Sequence, residues 1–299
     1  MTSAAGIPDH PPAVEGLSLE RDADLTRRNT MLLRARARWL ARCDGEEALA
    51  ALVRWWIPSG LPWYVLGAGS NVVFSREEYD ALFVTLGADF SRCEALSPGI
   101  IEAGSAVATG ALLKFCEEIG CGGLECLCGI PGTLGGSVVG NAGCGGECIG
   151  DSVVAARVMS AAGEAAEVAR EDIRFEYRDS SLRGGIVLRI RLRVEPMEEA
   201  RRRARMDEKR RARLGHPSGA RSAGCVFRNP PGASAGRLID AAGLKGARAG
   251  GAQVSEAHAN YIINAGGATG QDVLELIRLV RDTVKERFGV SLETEVRVL

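Results

Sequence analysis

The 299-residue chain has no dominant charge, little histidine and no long apolar run. Its 37 basic residues face 38 acidic ones, so no strongly signed field points to nucleic acid or to an anionic membrane. Arginines do cluster between Arg201 and Arg213, but Glu198, Glu199, Asp207 and Glu208 are interleaved with them. That mixture reads as a solvated, salt-bridged helix face. No stretch reaches the ~20 apolar residues of a membrane helix. With only His10, His216 and His258, and no pair of Cys-x-x-Cys ribbons, a zinc or iron–sulfur site is not expected. No Gly-Lys-Ser/Thr is present, which excludes a Walker phosphate loop. Residues 1–18 lack the basic start and apolar core of an export signal. They are expected to form a disordered tail, and the chain is expected to stay in the cytoplasm.

Among what is present, apolar residues make up 46% of the chain, ample for two or three structural units with their own cores. The nine cysteines are read mostly as small buried hydrophobes of a reducing compartment, with Cys225 set apart below. A helix is expected over residues 45–57, then a short buried strand Trp63–Leu66 and an extended Val72–Phe74. Further strands are expected at Ala81–Leu86, Ile100–Ala103, Val153–Met159 and Ile186–Val194, with a helix at Thr109–Ile119. Residues 129–146 hold eight glycines and read as one loop. A charged connector helix is expected over 195–213. Thr269-x-x-Asp272 forms a capping box ahead of the helical repeat Val273, Leu274, Leu276, Ile277, Val280 and Val284, which Gly289 ends. The last segment alternates, with Leu292, Val296 and Val298 on one face and Glu293, Glu295 and Arg297 on the other, as in a half-buried strand. No internal repeat is seen, and the irregular mixture favours an α+β assembly of subdomains.

Gly67-x-Gly69 follows a strand but does not open a helix, so it is not a dinucleotide-fold fingerprint. Glycine-rich loops bind phosphate in another way, by letting several backbone N–H groups converge on an anion. One such loop alone reads as a tight turn. Two of them, with Ser70, Asn71 and Asn141 as hydrogen-bonding neighbours, favour a ligand with two phosphates.

Leu66-Gly67-Ala68-Gly69-Ser70-Asn71 and Gly129-Ile130-Pro131-Gly132-Thr133-Leu134-Gly135-Gly136 with Asn141-Ala142-Gly143 are followed by Tyr177-Arg178-Asp179-Ser180. Next come Ser222-Ala223-Gly224-Cys225-Val226-Phe227-Arg228-Asn229-Pro230, Leu244-Lys245-Gly246, His258-Ala259-Asn260 and Leu292-Glu293-x-Glu295-Val296-Arg297. In content and order this series resembles the UDP-N-acetylenolpyruvoylglucosamine reductases, the MurB family, from about residue 25 to the C-terminus. The resemblance implies two FAD-binding subdomains of the vanillyl-alcohol-oxidase type (residues 19–80 and 81–200) and a substrate domain (201–299). It implies non-covalent FAD, NADPH as electron donor, a nucleotide-sugar substrate and a monomer of the compact subclass. The two glycine loops would hold the flavin.

By the same resemblance Arg178, Glu295 and Cys225 would be catalytic. Hydride addition to an enolpyruvyl ether leaves negative charge on the substrate carboxylate, and a guanidinium grips a carboxylate with two hydrogen bonds. Without the motif, Arg178 reads equally as the partner of Asp179. Glu295 helps beside an anion only when it carries or shares a proton; on spacing alone it belongs to a solvated strand face. Cys225 stands at the family's proton-donor position, commonly serine, and a thiol is the better acid. Tyr177, Arg228, Asn229, Lys245 and His258 are candidates for holding the nucleotide-sugar. On chemistry alone Lys245 is as well read as a surface lysine, and His258 as a structural one. The sequence departs from the family after Asn29-Thr30, where Met31-Leu32-Leu33-Arg34-Ala35-Arg36 replaces a segment with a Gly-Gly pair. Other readings are an alcohol oxidase of the same fold and a flavin- or nucleotide-binding regulator.

Overall fold

In a computed structural model, residues 11–217 and 219–299 are described. The expected tail lies mainly outside them, in residues 1–10. Its last two residues are ordered, because Leu17 and Ser18 open strand β1 (Leu17–Asp24). The chain divides into two compact units that do not follow the contiguous division at residues 18, 80 and 200. Among the described residues, the first takes 11–21, 39–67 and 80–214; the second takes Asp22–Arg38, Ala68–Tyr79 and the chain from Gly215 to Leu299.

In the first unit, helix α1 (Glu46–Trp56) buries Leu49, Leu52, Val53 and Trp56. They form a core with Leu82 and Val84 of β5 (Glu78–Leu86) and with Leu188. Strand β3 (Trp63–Val65) runs parallel to β5, and with β1 and β2 (Arg36–Cys43) completes a four-stranded sheet in the order β1-β2-β5-β3. Of the buried strand expected over Trp63–Leu66, Leu66 is buried, whereas Trp63 and Tyr64 are half-buried and Val65 is exposed, since β3 is an edge strand. Strands 165–169, 153–159, 186–193, β7 (Ile100–Gly104) and β6 (Cys93–Ser97) make an antiparallel five-stranded sheet in that order. Against it pack α2 (Thr109–Glu118) and α3 (Leu134–Val139), burying Leu112, Cys116, Leu134 and Val138.

Two expectations fail here for local reasons. The glycine stretch 129–146 is not one loop: Leu134, Ser137 and Val138 are buried, and α3 and a small hairpin (143–144 with 147–148) form inside it. The connector helix begins later than expected. Glu195–Pro196 pairs with Cys121–Gly122 as a strand, and α4 covers Glu199–Ala212. Nor is α4 solvated all round, because Arg202 and Lys209 are buried. Arg202 Nη1 donates to the Met197 carbonyl (3.1 Å), Arg205 reaches the buried carboxylate of Glu125 (3.2 Å), and Lys209 reaches Glu147 (3.0 Å).

The second unit is built on an antiparallel sheet in the order 222–225, 261–264, 252–254, 248–249. Helix α6 (Gly270–Phe288) packs on strands 252–254 and 248–249 and on α5 (Ala235–Ala241). Its buried Val273, Leu276, Ile277, Val280 and Val284 contribute roughly 1.5–3 kcal/mol each. The capping box is present, and Gly289 ends the helix at φ +70°. β4 (Val72–Val73) runs parallel to Arg297–Val298. In the closing segment Leu292 and Val296 are buried as expected, whereas Val298 is exposed. Only its last two residues pair as a strand, so the alternation stops short.

Candidate functional site

The two glycine loops meet within the first unit. A Cβ built on Gly67 would lie 2.6 Å from Thr133 Oγ1, so with any other residue here the Thr133 side chain would have to shift. A Cβ on Gly135 would lie 2.7 Å from Ser105 Cβ, while its N–H donates to the Ser105 carbonyl (2.8 Å). Among the described residues, the backbone N–H groups of Gly67, Gly132, Thr133 and Gly136 donate to no protein acceptor. Ser105 Oγ is buried and likewise without a partner there. Clustered donors on side-chain-free backbone fit a diphosphate such as that of FAD. Pro131 stands between Ile130 and Gly132 and contributes no N–H of its own.

The end of the second loop carries the hairpin of Arg178. Asn141, buried at φ +42°, donates from Nδ2 to the Glu176 carbonyl (2.9 Å) and accepts from the Gly150 N–H (3.1 Å). Ala142 N–H donates to the Ser137 carbonyl (2.7 Å), closing the end of α3. Phe175–Glu176 pairs with Asp179–Ser180 across a two-residue turn formed by Tyr177 and Arg178. Arg178 sits at φ +58°, a left-handed conformation costing a non-glycine residue about 1–2 kcal/mol. Its Nη2 donates to the Gly143 carbonyl (3.1 Å), and its guanidinium lies 5.1 Å from the Tyr177 ring centre. Asp179 accepts from Arg183 (2.7 Å). Tyr177 is half-exposed.

In the second unit the remaining part of the first loop, Ala68–Asn71, lies beside the strand of Cys225. Gly69, at φ +64°, has Arg28 and Asn29 against it: a Cβ there would lie 2.1 Å from the Arg28 carbonyl oxygen. Thr30 N–H donates to the Gly69 carbonyl (3.2 Å), and Thr30 Oγ1 to the Ser222 carbonyl (2.6 Å). A Cβ on Gly224, at φ +81°, would approach the Ser70 carbonyl oxygen at 3.8 Å. Asn71 Nδ2 donates to the Glu295 carbonyl (3.3 Å), and Glu295 N–H to the Val226 carbonyl (2.8 Å). The fold therefore brings Ser70, Asn71, Cys225 and Glu295 together.

The other candidates are more dispersed. Asn229 Oδ1 accepts from the Ala235 N–H (3.0 Å), which closes the loop before α5. Lys245 pairs with Asp240 (2.9 Å). His258 Nδ1 accepts from the Asn260 N–H (3.3 Å), and its ring lies 4.6 Å from His216 and 5.0 Å from Tyr261, centre to centre. His216 Nδ1 lies 2.8 Å from the Tyr261 hydroxyl. Arg228 N–H donates to the Glu293 carbonyl (2.9 Å), and its Nε is buried.

Comparison with known proteins gives this geometry its context. A family model described as "FAD binding domain" matches residues 37–169, and one described as "UDP-N-acetylenolpyruvoylglucosamine reductase, C-terminal domain" matches 216–299. UDP-N-acetylenolpyruvoylglucosamine reductase 2 of Symbiobacterium thermophilum is 38% identical over 283 residues, covering 94% of this chain and 92% of the relative. The reductase of Moorella thermoacetica is 40% identical over 292 residues, with 95% and 94% covered. This chain belongs to the UDP-N-acetylenolpyruvoylglucosamine reductase family. The crystal structure of the MurB enzyme from Thermus caldophilus superposes with a TM-score of 0.82 at 36% identity, covering 94% of this chain and 99% of that one. A MurB-like fold with an FAD-binding domain follows.

Sequence reasoning missed several residues that shape the site of this MurB-family chain. Asn29 is buried and bonds the carbonyls of Leu25, Thr26 and Leu33 and the N–H of Leu33. It thereby holds Leu32 at φ +53° in the segment that lacks the family's Gly-Gly pair. Ser105 and His216 carried no sequence signal. The cysteines are less uniformly buried than expected: Cys43, Cys116, Cys126 and Cys128 are buried, whereas Cys93, Cys121, Cys144, Cys148 and Cys225 are half-buried. Burial pushes Cys43, Cys116 and Cys126 up to about 12 and Cys93 up to about 11, which leaves them inert as nucleophiles at neutral pH. No helix is long and apolar enough to cross a membrane among the described residues.

Proposed function

We propose that this chain reduces the enolpyruvyl ether of UDP-N-acetylglucosamine enolpyruvate to UDP-N-acetylmuramate, with FAD as cofactor and NADPH as electron donor. The observation that carries this reading is the near-complete coverage of chain and relative at 38% identity. FAD supplies the hydride, and the unpartnered N–H groups around Gly67, Thr133 and Gly136 fit its diphosphate. Ala68, Gly69, Ser70 and Asn71 complete the set of residues assigned to the cofactor. The finer architecture is that of the vanillyl-alcohol-oxidase type, and the protein works in the cytoplasm as a monomer.

The protein's own groups manage charge and proton. Arg178 takes the substrate carboxylate, where negative charge grows as the alkene carbon is reduced. Its bond to the Gly143 carbonyl holds the guanidinium before substrate arrives, so less conformational freedom is lost on binding. Glu295, carrying or sharing a proton, donates to the same carboxylate. Cys225 Sγ delivers its proton to the neighbouring carbon and is reprotonated from solvent. Tyr177, Arg228, Asn229, Lys245 and His258 hold the nucleotide-sugar; Lys245 meets the diphosphate as a point charge, in exchange for Asp240.

An anaerobic absorbance assay tests the reading. FAD-loaded protein is reduced with one equivalent of NADPH, and UDP-N-acetylglucosamine enolpyruvate is then added. Rapid return of the oxidised flavin spectrum, with UDP-N-acetylmuramate found by mass spectrometry, is the expected result. Flavin that binds but stays reduced would sink the substrate assignment. Protein that takes up no flavin would sink the two-loop argument.

A further inference from the structure

The strand that carries Cys225 has an incomplete ladder. Ser222 pairs with Ile263 and Cys225 with Tyr261, with a register shift between them. The partner strand begins only at Tyr261, so it offers no residue opposite Phe227. Asn260 fills that place. Its carbonyl accepts from the Val226 N–H (2.8 Å), its Oδ1 accepts from the Phe227 N–H (2.9 Å), and its Nδ2 donates to the Phe227 carbonyl (2.8 Å). The side-chain amide imitates the pair of bonds in an antiparallel rung. On the other edge, Val226 accepts from the Glu295 N–H, Arg228 donates to Glu293, and Phe227 bridges Thr294.

One buried amide, 4% exposed, therefore holds both backbone groups of Phe227, next to Val226, which follows Cys225 and accepts from the Glu295 N–H. We infer that Asn260 is a positioning residue that sets Cys225 against Glu295, acting through Val226 and Phe227. The inference rests on the catalytic roles given to those two residues above. Only an amide meets the requirement at this length. A carboxylate keeps the acceptor but places a second oxygen where Phe227 needs a donor. An alkyl side chain leaves both buried Phe227 groups without partners.

The test is Asn260→Asp in the full-length, FAD-loaded protein, compared with wild type between pH 5.5 and 9. A charged carboxylate opposes the Phe227 carbonyl, and one added proton restores the missing donor. Titratable and charged groups on the surrounding elements are His216, His258, Tyr261, Arg228, Glu293, Glu295 and, on α5, Arg237. Wild type holds the same groups, so the variant-to-wild-type ratio isolates the substitution. Reoxidation of the flavin by UDP-N-acetylglucosamine enolpyruvate is expected to slow about tenfold or more at pH 9 and to recover towards wild type in acid. Reduction of the flavin by NADPH should stay within about twofold throughout.

A second readout needs no turnover: the rate of Cys225 carbamidomethylation by iodoacetamide, followed by peptide mass spectrometry. The ratio of variant to wild type should depart from one at pH 9 and return towards it in acid. Asn260→Ser, which shortens the side chain and loses the paired bonds, should show the same split between half-reactions without recovery in acid. It also serves if the aspartate variant does not fold. Ratios that are flat with pH in the aspartate variant, or equal losses in both half-reactions with Cys225 alkylation unchanged, would overturn the inference. If wild type itself leaves the flavin reduced, the proposed function fails, and the alkylation ratio still decides whether Asn260 holds Cys225.

Discussion

Replacing Cys225 by serine keeps a weak acid in place, whereas alanine removes the proposed proton donor altogether. Cys225→Ala is expected to slow product formation by about 10²–10⁴-fold while NADPH still reduces the flavin at the wild-type rate; Cys225→Ser should fall between the two. Stopped-flow absorbance of the two half-reactions checks this. The glycines allow a sharper contrast. Gly69→Ala would drive a Cβ to 2.1 Å from a backbone oxygen at φ +64°, and neither can yield. Gly67→Ala meets the Thr133 hydroxyl, a side chain that has some room to turn. Gly69→Ala is therefore expected to lower the urea midpoint clearly, by about 1–3 kcal/mol in stability, and Gly67→Ala mainly to weaken FAD uptake read by flavin fluorescence. The roles proposed for Cys225, Glu295 and Arg178 are legible only through the motifs around them. The left-handed backbone of Arg178 and Leu32 was not legible at all, because sequence flags that conformation through glycine and asparagine. In both cases it is neighbouring bonds, not residue type, that impose it.

Local signals read well wherever an element is defined by its own few residues. Helix α6 was legible from cap to cap, since the Thr269–Asp272 box, the apolar repeat and Gly289 all lie in one stretch. Helix α3 was hidden because its glycines argue for a loop, and only the burial of Leu134 and Val138 against the sheet overrules them. The same box makes a pH-dependent prediction. Asp272 accepts from the N–H groups of Thr269 and Gly251, which hold its carboxyl below the usual carboxylate range. A carboxylate with a lowered folded-state pKa stabilises the fold above its unfolded value and loses that effect as pH falls through the folded one. Asp272→Asn should thus cost up to about 1 kcal/mol near pH 7 and progressively less below about pH 4. Urea melts of variant and wild type at several pH values measure this.

The second unit is assembled from three stretches of sequence, and nothing in the local pattern revealed that. Asn264 Nδ2 donates to the Met31 carbonyl (2.8 Å), Thr30 to Ser222, Gln271 to the Ser75 carbonyl (2.7 Å), and Tyr79 to a Leu299 oxygen (2.9 Å). These are long-range pairings, which periodicity does not encode. A fragment of residues 215–299 would lack Asp22–Arg38 and Ala68–Tyr79 and leave those groups to water. It is expected to show no cooperative thermal transition by circular dichroism, although the family's C-terminal region spans much the same residues. The pairing of β4 with Arg297–Val298 also sets a clock on the ribosome. Ser75 meets Leu299 across 224 positions of chain. At the 5–20 residues per second of synthesis, Val72–Val73 waits roughly ten to forty-five seconds for its partner strand to be made. Through that interval the nascent chain carries an open strand edge beside its first glycine loop, and a chaperone would have its longest opportunity there.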